Sequence, residues 1–340
     1  MRCGRATRWS VTVATCVLAV VAASAGPASA SEWRVPTEAG PPQAARTDAF
    51  HYARAHPGAA PAGANDFACV PTGEHPEPVI LVHGTDSSAY DDWAALSPML
   101  AADGWCVFAL DYGGAAEAES GTSGSLGDAP PGARSFGTED LYDSVDQLAE
   151  FTRRVLAATG ADRVNYVGYS QGATVSRYYV NERGGAAHTD RWVGLASPTY
   201  GGTMYGIVDL LNALPGGLDL AEQLTSRAVR QQMRGSPFLT ELNAGGDTVP
   251  GVHYTTVGSR YDEMIQPYTD IALRDPGATN VLVQDACPAD ASGHFLAPYD
   301  PYALDLVRTA LDPDAEPHGE CVPVPLGTGI LRVILDSNSS

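Results

Sequence analysis

Two kinds of hydrophobic pattern recur along the chain. One is a short, almost wholly apolar run ended by glycine or a turn, and the other is a longer segment with apolar residues every three or four positions. The short runs are Pro78–Gly84, Cys106–Leu110, Arg163–Val167, Arg191–Pro198, Val252–Gly258 and Asn280–Gln284. Their length and their lack of strict polar alternation predict strands buried on both faces of a parallel sheet. Between them lie helical patterns. Asp91–Ala102 places Trp93, Leu96 and Leu100 on one face before Asp103 and Gly104 stop it. Thr138–Thr159 does the same with Leu141, Val145, Leu148, Phe151, Val155 and Leu156, with a threonine cap at its entry and Gly160 at its exit. Ala173–Val180 follows the third run, and Tyr302–Leu311 is the last clear helix. Six strands separated by helices or long crossovers predict an α/β fold with a mostly parallel, doubly wound sheet of about six core strands.

Other stretches depart from these two patterns. Residues 31–75 are rich in Ala, Pro and Gly without periodicity, so an extended or partly disordered arm is expected there. A Gly, Ser, Ala and Pro stretch from Gly113 to Gly137 reads as a long surface loop. Residues 200–243 carry helical patterns at Ile207–Leu214 and Leu218–Met233 after the carboxyl end of a strand, where they are expected to cap the site. The catalytic domain is expected over 76–325, with a stretch rich in Pro and Gly after Leu311, followed by a C-terminal tail over 326–340.

The start of the chain has another character. Arg2, Arg5 and Arg8 precede the apolar run Val11–Ala23, and Ala28-Ser29-Ala30 offers small residues to a signal peptidase. A secretory signal removed after Ala30 is expected, leaving no integral membrane segment and an extracellular product. Its loss takes the formal charge from −20 to −23, because three basic residues and no acidic ones depart. Nucleic acid and anionic membrane surfaces are therefore expected to be poor partners.

Four cysteines remain after that cleavage: Cys69, Cys106, Cys287 and Cys321. Their spacing fits neither a zinc ribbon nor a CxxC redox site, so disulfides are expected and no metal or organic cofactor. In the usual strand order the Cys106 strand lies at one edge and the end of the Cys287 strand at the other, about 24 Å apart. That distance exceeds the reach of a disulfide, and Cys69 with Cys106 and Cys287 with Cys321 is the pairing expected.

The chemistry gathers at Gly168-Tyr169-Ser170-Gln171-Gly172, a GxSxG motif between a predicted strand and a predicted helix. A serine on such a turn is held in a strained conformation with its hydroxyl exposed, and the flanking glycines let strand and helix approach. Such a serine needs a base and a carboxylate to orient that base, arriving later in the chain in the order acid, histidine. His294 lies in the loop before the last helix; His253 falls within a strand and His318 in the tail. Asp262 is the favoured acid in the loop after Gly258. Glu263 is its neighbour, while Asp270, Asp285 and Asp290 read as surface carboxylates or helix caps. The Gln171 amide, with Thr85 after the first strand, is expected to hold the oxyanion. His83 reads as a loop-shaping residue.

With these residues in place the chain resembles the secreted actinobacterial class 2 lipases, α/β-hydrolases distantly similar to Candida antarctica lipase B. The resemblance covers about Phe67–Cys321 and rests on Val79–Thr85, Trp105–Gly113, Val167–Gly172, Phe238–Val252, Tyr261–Glu263 and Gln284–Pro288. It implies lipase or esterase activity, with Ser170, Asp262 and His294 as triad, Thr85 and Gln171 at the oxyanion, and a lipid or other ester substrate. Three positions depart from the family pattern: Tyr169 stands for the usual histidine, Ala173 for a second glycine, and Gly293 for an acidic residue before the base. An acyltransferase or polyester-degrading esterase would use the same machinery. A binding protein without catalysis would have no need of all three triad groups.

Overall fold

The computed structural model describes residues 32–114, 136–203 and 206–330. The expected signal segment, most of the Gly- and Ser-rich loop and the last ten residues lie outside the described residues.

In chain order, β1 (Glu32–Arg34), β2 (Glu38–Ala39), α1 (Arg46–Ala55) and β3 (Ala59–Ala60) form the arm. Then come β4 (Val79–Val82), α2 (Ala89–Trp93), α3 (Leu96–Ala102), β5 (Val107–Gly114), α4 (Leu141–Thr159), β6 (Val164–Tyr169), α5 (Gln171–Glu182) and β7 (Thr189–Leu195). The insertion holds α6 (Ile207–Ala213), α7 (Gly217–Leu224), α8 (Arg227–Gln231) and α9 (Pro237–Ala244). The chain closes with β8 (His253–Gly258), β9 (Thr279–Leu282), α10 (Val283–Ala286) and α11 (Pro301–Leu311).

The main sheet has the order β1-β5-β4-β6-β7-β8-β9, parallel throughout except for β1, which runs antiparallel to β5. The six expected strands form its parallel part. Their apolar runs are buried on both faces because helices cover both. Phe151 of α4, Tyr178 of α5 and Phe238 of α9 pack with Phe108 and Tyr166 on one side. On the other, Trp93, Leu100, Leu304 and Val307 pack with Val79, Leu81 and Val257.

The arm differs most from expectation. It supplies an edge strand outside β5, so the Cys106 strand is second from the edge. It also forms a helix, α1, anchored by the fully buried Ala49 and by Tyr52 stacked on Tyr90 with ring centroids 4.9 Å apart. A small residue and tyrosines do this work, which leaves no apolar periodicity to read. The disulfides nevertheless join Cys69 to Cys106 and Cys287 to Cys321, with Cα atoms 5.8 and 5.3 Å apart.

Smaller corrections concern helix ends. Asp140, not Thr138, caps α4, accepting from the Tyr142 amide, while Gly160 closes the helix at φ 71°. Asp91–Ala102 is two helices, as is Leu218–Met233, where Ser226 caps a fresh turn by accepting from Val229. The last strand stops at Leu282, and Gln284 belongs to α10. The final stretch of the insertion, α9, sends Phe238, Leu239 and Leu242 into the core.

Candidate active site

The parallel strands deliver their carboxyl ends, and the loops that follow, to one rim of the sheet. At the end of β6 the chain turns sharply into α5, and Ser170 at that turn has φ 50° and ψ −117°. A non-glycine residue is held there only by its surroundings. The Ser170 amide donates to Leu195 O on the neighbouring strand at 2.9 Å. Glycine is needed on either side. A Cβ on Gly168 would meet Ala173 N at 2.4 Å, and one on Gly172 would meet Val82 O at 1.9 Å.

His294 Nε2 stands 3.0 Å from Ser170 Oγ, and His294 Nδ1 stands 2.8 Å from Asp262 Oδ2. Asp262 is fully buried, and its other oxygen accepts from the amides of Met264 and Ile265 at 2.9 and 2.6 Å. Those two donors fix the face that the carboxylate turns to the imidazole. Glu263 takes a different place: its Oε2 accepts from the His294 amide at 2.5 Å, and burial raises its pKa. The glycine before the base follows from this, since a Cβ on Gly293 would lie 2.1 Å from Glu263 Oε1.

Thr85 and Gln171 lie together at the rim. Thr85 Oγ1 donates to Gln171 Oε1 at 2.8 Å, and the buried Gln171 amide side chain donates to Gly137 O at 2.9 Å. Gln232, just beyond α8, donates to the same Gln171 oxygen at 2.6 Å and to Thr85 Oγ1 at 3.1 Å. His83 is fully buried, stacked on Tyr112, and its Nδ1 lies 2.7 Å from Gly84 O. Burial lowers its pKa, so it braces this loop as a neutral ring. The structure does not bring His253 or His318 to the site: His253 begins β8 on the exposed surface, and the His318 amide donates to Asp305. Asp270 and Asp290, read from sequence as surface carboxylates or caps, are buried; Asp270 pairs with Arg234 and Arg274. Asp285 pairs with Arg260 near the surface.

Ser170 and His294 open on a cavity of about 230 Å³ lined largely by Pro198, Val208, Val229, Met233, Met264 and Ile265. Three of these come from the insertion. Thr85, Tyr169, Gln232 and Arg46 complete the polar part of its wall. Arg46 and Gln232 carried no sequence signal. The first lies in an arm without periodicity, and the second lies within the helical pattern Leu218–Met233, where nothing sets it apart from the polar residues around it. Among the described residues no group of His, Cys, Asp and Glu could hold a metal ion, and no helix is long and apolar enough to cross a membrane.

The family model for the alpha/beta hydrolase fold matches residues 77–220. Two triacylglycerol lipases, from Pseudarthrobacter phenanthrenivorans and Burkholderia plantarii, are each 36% identical to the chain over 106 residues. The matched part is 30% of this chain and 27% and 24% of theirs, so the chain spans about a quarter of the length of these relatives. The crystal structure of Aspergillus fumigatus lipase B superposes with a TM-score of 0.53 at 20% identity, covering 79% of this chain and 62% of that one. Both named relatives are lipases, in keeping with the resemblance read from the sequence.

Proposed function

We propose that this chain, which has the α/β-hydrolase fold, is a secreted serine hydrolase that cleaves carboxylic esters of lipids through an acyl-enzyme. The observation that carries the reading is the relay Ser170 Oγ, His294 Nε2 and Nδ1, Asp262 Oδ2, with steps of 3.0 and 2.8 Å, at the floor of an apolar cavity.

Ser170 Oγ attacks the ester carbonyl carbon while His294 Nε2 takes its proton, and the buried Asp262 holds the imidazole in the required tautomer. The oxyanion forms beside the amides of Thr85 and Gln171. The Thr85 hydroxyl is engaged with Gln171 Oε1, so the backbone amide is the donor assigned to Thr85. Collapse of the tetrahedral intermediate returns the proton to the leaving alcohol, and water then resolves the acyl-enzyme by the same steps. Removing one oxyanion donor in such a site costs on the order of a hundredfold or more in kcat.

Two features favour a lipid ester over a small polar one. The cavity wall is apolar, and the insertion that supplies part of it exposes Ile207, Leu210, Leu214 and Leu220 to solvent, each at least 48% accessible. The paired disulfides suit an oxidising compartment.

The test is a chain-length series of p-nitrophenyl and glycerol esters with wild type and Ser170→Ala, each assayed below and above the substrate's solubility limit. Ester turnover abolished in Ser170→Ala is expected. No turnover by wild type, or an unchanged Ser170→Ala, would overturn the mechanism.

A further inference from the structure

We propose that Arg46, brought in by the N-terminal arm, is a positioning residue that holds the oxyanion loop, the nucleophile turn and the base loop in one register. The inference rests on the hydrolase reading above and adds to it a role for a segment outside the family pattern.

Arg46 opens α1, and its guanidinium makes three polar contacts. Nη1 donates to Tyr169 Oη at 3.1 Å and to Phe295 O at 3.2 Å, and Nη2 lies 3.2 Å from Asp92 Oδ1. Each partner leads directly to one catalytic loop. Tyr169 precedes the nucleophile, and its hydroxyl donates to the carbonyl of His294 at 3.0 Å. Phe295 follows His294. Asp92 is fully buried, and its Oδ2 accepts from the Gly84 amide at 2.7 Å, one residue before Thr85.

The chemistry of the four groups requires this arrangement. A carboxylate taken wholly out of water needs a cation and hydrogen bonds. Asp92 Oδ1 has no ordinary hydrogen-bond partner among the described residues, so the Arg46 ion pair is its compensation. A planar guanidinium can serve three acceptors set at different angles, which an ammonium on a flexible stem does poorly. Tyr169 stands where the resembled family has histidine, and its phenol supplies the acceptor that Arg46 meets. A departure from the family pattern therefore meets a residue from outside the region of resemblance.

The arm is built to hold this residue in place. Ala49 packs fully buried against Tyr90, Ala94 and Tyr299. Tyr90 donates to Pro41 O at 2.6 Å, and Gly40 leaves room for the Tyr90 ring, which a Cβ there would approach to 2.2 Å. Arg46 also lines the cavity beside Ser170, with its side chain 20% exposed, so a small cation in solution can reach its place.

The test uses the full mature chain with Arg46→Met and Arg46→Lys, assayed on a soluble short-chain p-nitrophenyl ester. Arg46→Met is expected to lose about 10- to 100-fold in kcat with KM changed less than about threefold, as a small misplacement of catalytic groups does. Arg46→Lys should keep part of the activity. Millimolar guanidinium chloride should restore Arg46→Met several-fold and leave wild type unchanged. Titration with a fluorophosphonate counts folded, competent sites, so a misfolded fraction is corrected for. Wild-type kcat in Arg46→Met overturns the proposal, and so does a loss confined to KM or one without guanidinium rescue. If wild type cleaves no ester, the hydrolase reading falls by itself. The positioning claim is then judged by the low-field proton resonance of His294 Nδ1–H, which must shift or broaden in Arg46→Met.

Discussion

Replacing Asp300 by asparagine should stabilise the protein at pH 8 and leave it nearly unchanged at pH 4. Asp300 is 1% exposed and caps α11, its Oδ1 accepting from Ala303 N at 2.8 Å. Burial first, and the nearby Asp290 carboxylate second, push its pKa from 3.8 up to about 6. Between those values the folded protein keeps a proton that the unfolded chain has released, so stability falls as pH rises from about 4 to about 6. The difference corresponds to on the order of 3 kcal/mol. Asparagine cannot ionise, and its oxygen can still accept from Ala303, so it removes the penalty and keeps the cap. We expect Asp300→Asn to gain about 1–3 kcal/mol at pH 8 and little or nothing at pH 4. Urea denaturation of both proteins, followed by tryptophan fluorescence at half-unit steps between pH 4 and 8, gives the difference directly. A difference independent of pH would refute the reasoning, because it would mean that Asp300 titrates alike in both states.

Three further outcomes are expected. Asp262→Asn should lower kcat on the order of 10⁴-fold with KM little altered, read from steady-state ester hydrolysis, because the imidazole loses the carboxylate that selects its tautomer; a loss below tenfold would move the acid's role elsewhere. Met233 lines both the cavity at Ser170 and a second cavity of about 320 Å³ lined partly by Leu218, Pro237 and Phe238. Met233→Ala should therefore join them and shift the p-nitrophenyl ester optimum to longer acyl chains, and an unmoved optimum would place the chain elsewhere. Replacing Cys287 and Cys321 by alanine opens a loop with a sequence separation of 34, which the chain-entropy model values at roughly 4 kcal/mol. Urea denaturation of the double variant measures this, and a loss under about 1 kcal/mol would contradict that account.

What could be read from the sequence, and what could not, divides along a physical line. The strands of the parallel sheet were legible because burial on both faces demands unbroken apolar runs such as Val79–Val82 and Val164–Tyr169, which nothing on the surface imitates. The candidates Ser170, Asp262 and His294 were chosen by their order and their loops, which that sheet sets, and the fold places His294 within 3.0 Å of each of the other two. Helix ends were less legible. Asp140 and Thr138 both suit a cap, and only the direction of the chain after Gly137 decides between them. The arm could not be read at all, since Ala49 and Gly40 matter for the space they leave to Tyr90 and not for any pattern they make.

The same division governs where specificity is written. Groups that perform the proposed chemistry sit on short loops anchored in the sheet, so their identity survives in motifs. Groups that shape and brace the site arrive from outside it: Arg46 from the arm, Gln232 and Met233 from the insertion. The hydrogen bonds of Arg46 and Gln232 to the site loops span 61 to 249 residues. Tyr169 shows the consequence. Beside a motif it reads only as a departure, whereas in the fold its hydroxyl joins Arg46 to the carbonyl of His294. Differences among chains with this triad should therefore concentrate in which outside segment reaches the rim and in the single residue before the serine that receives it.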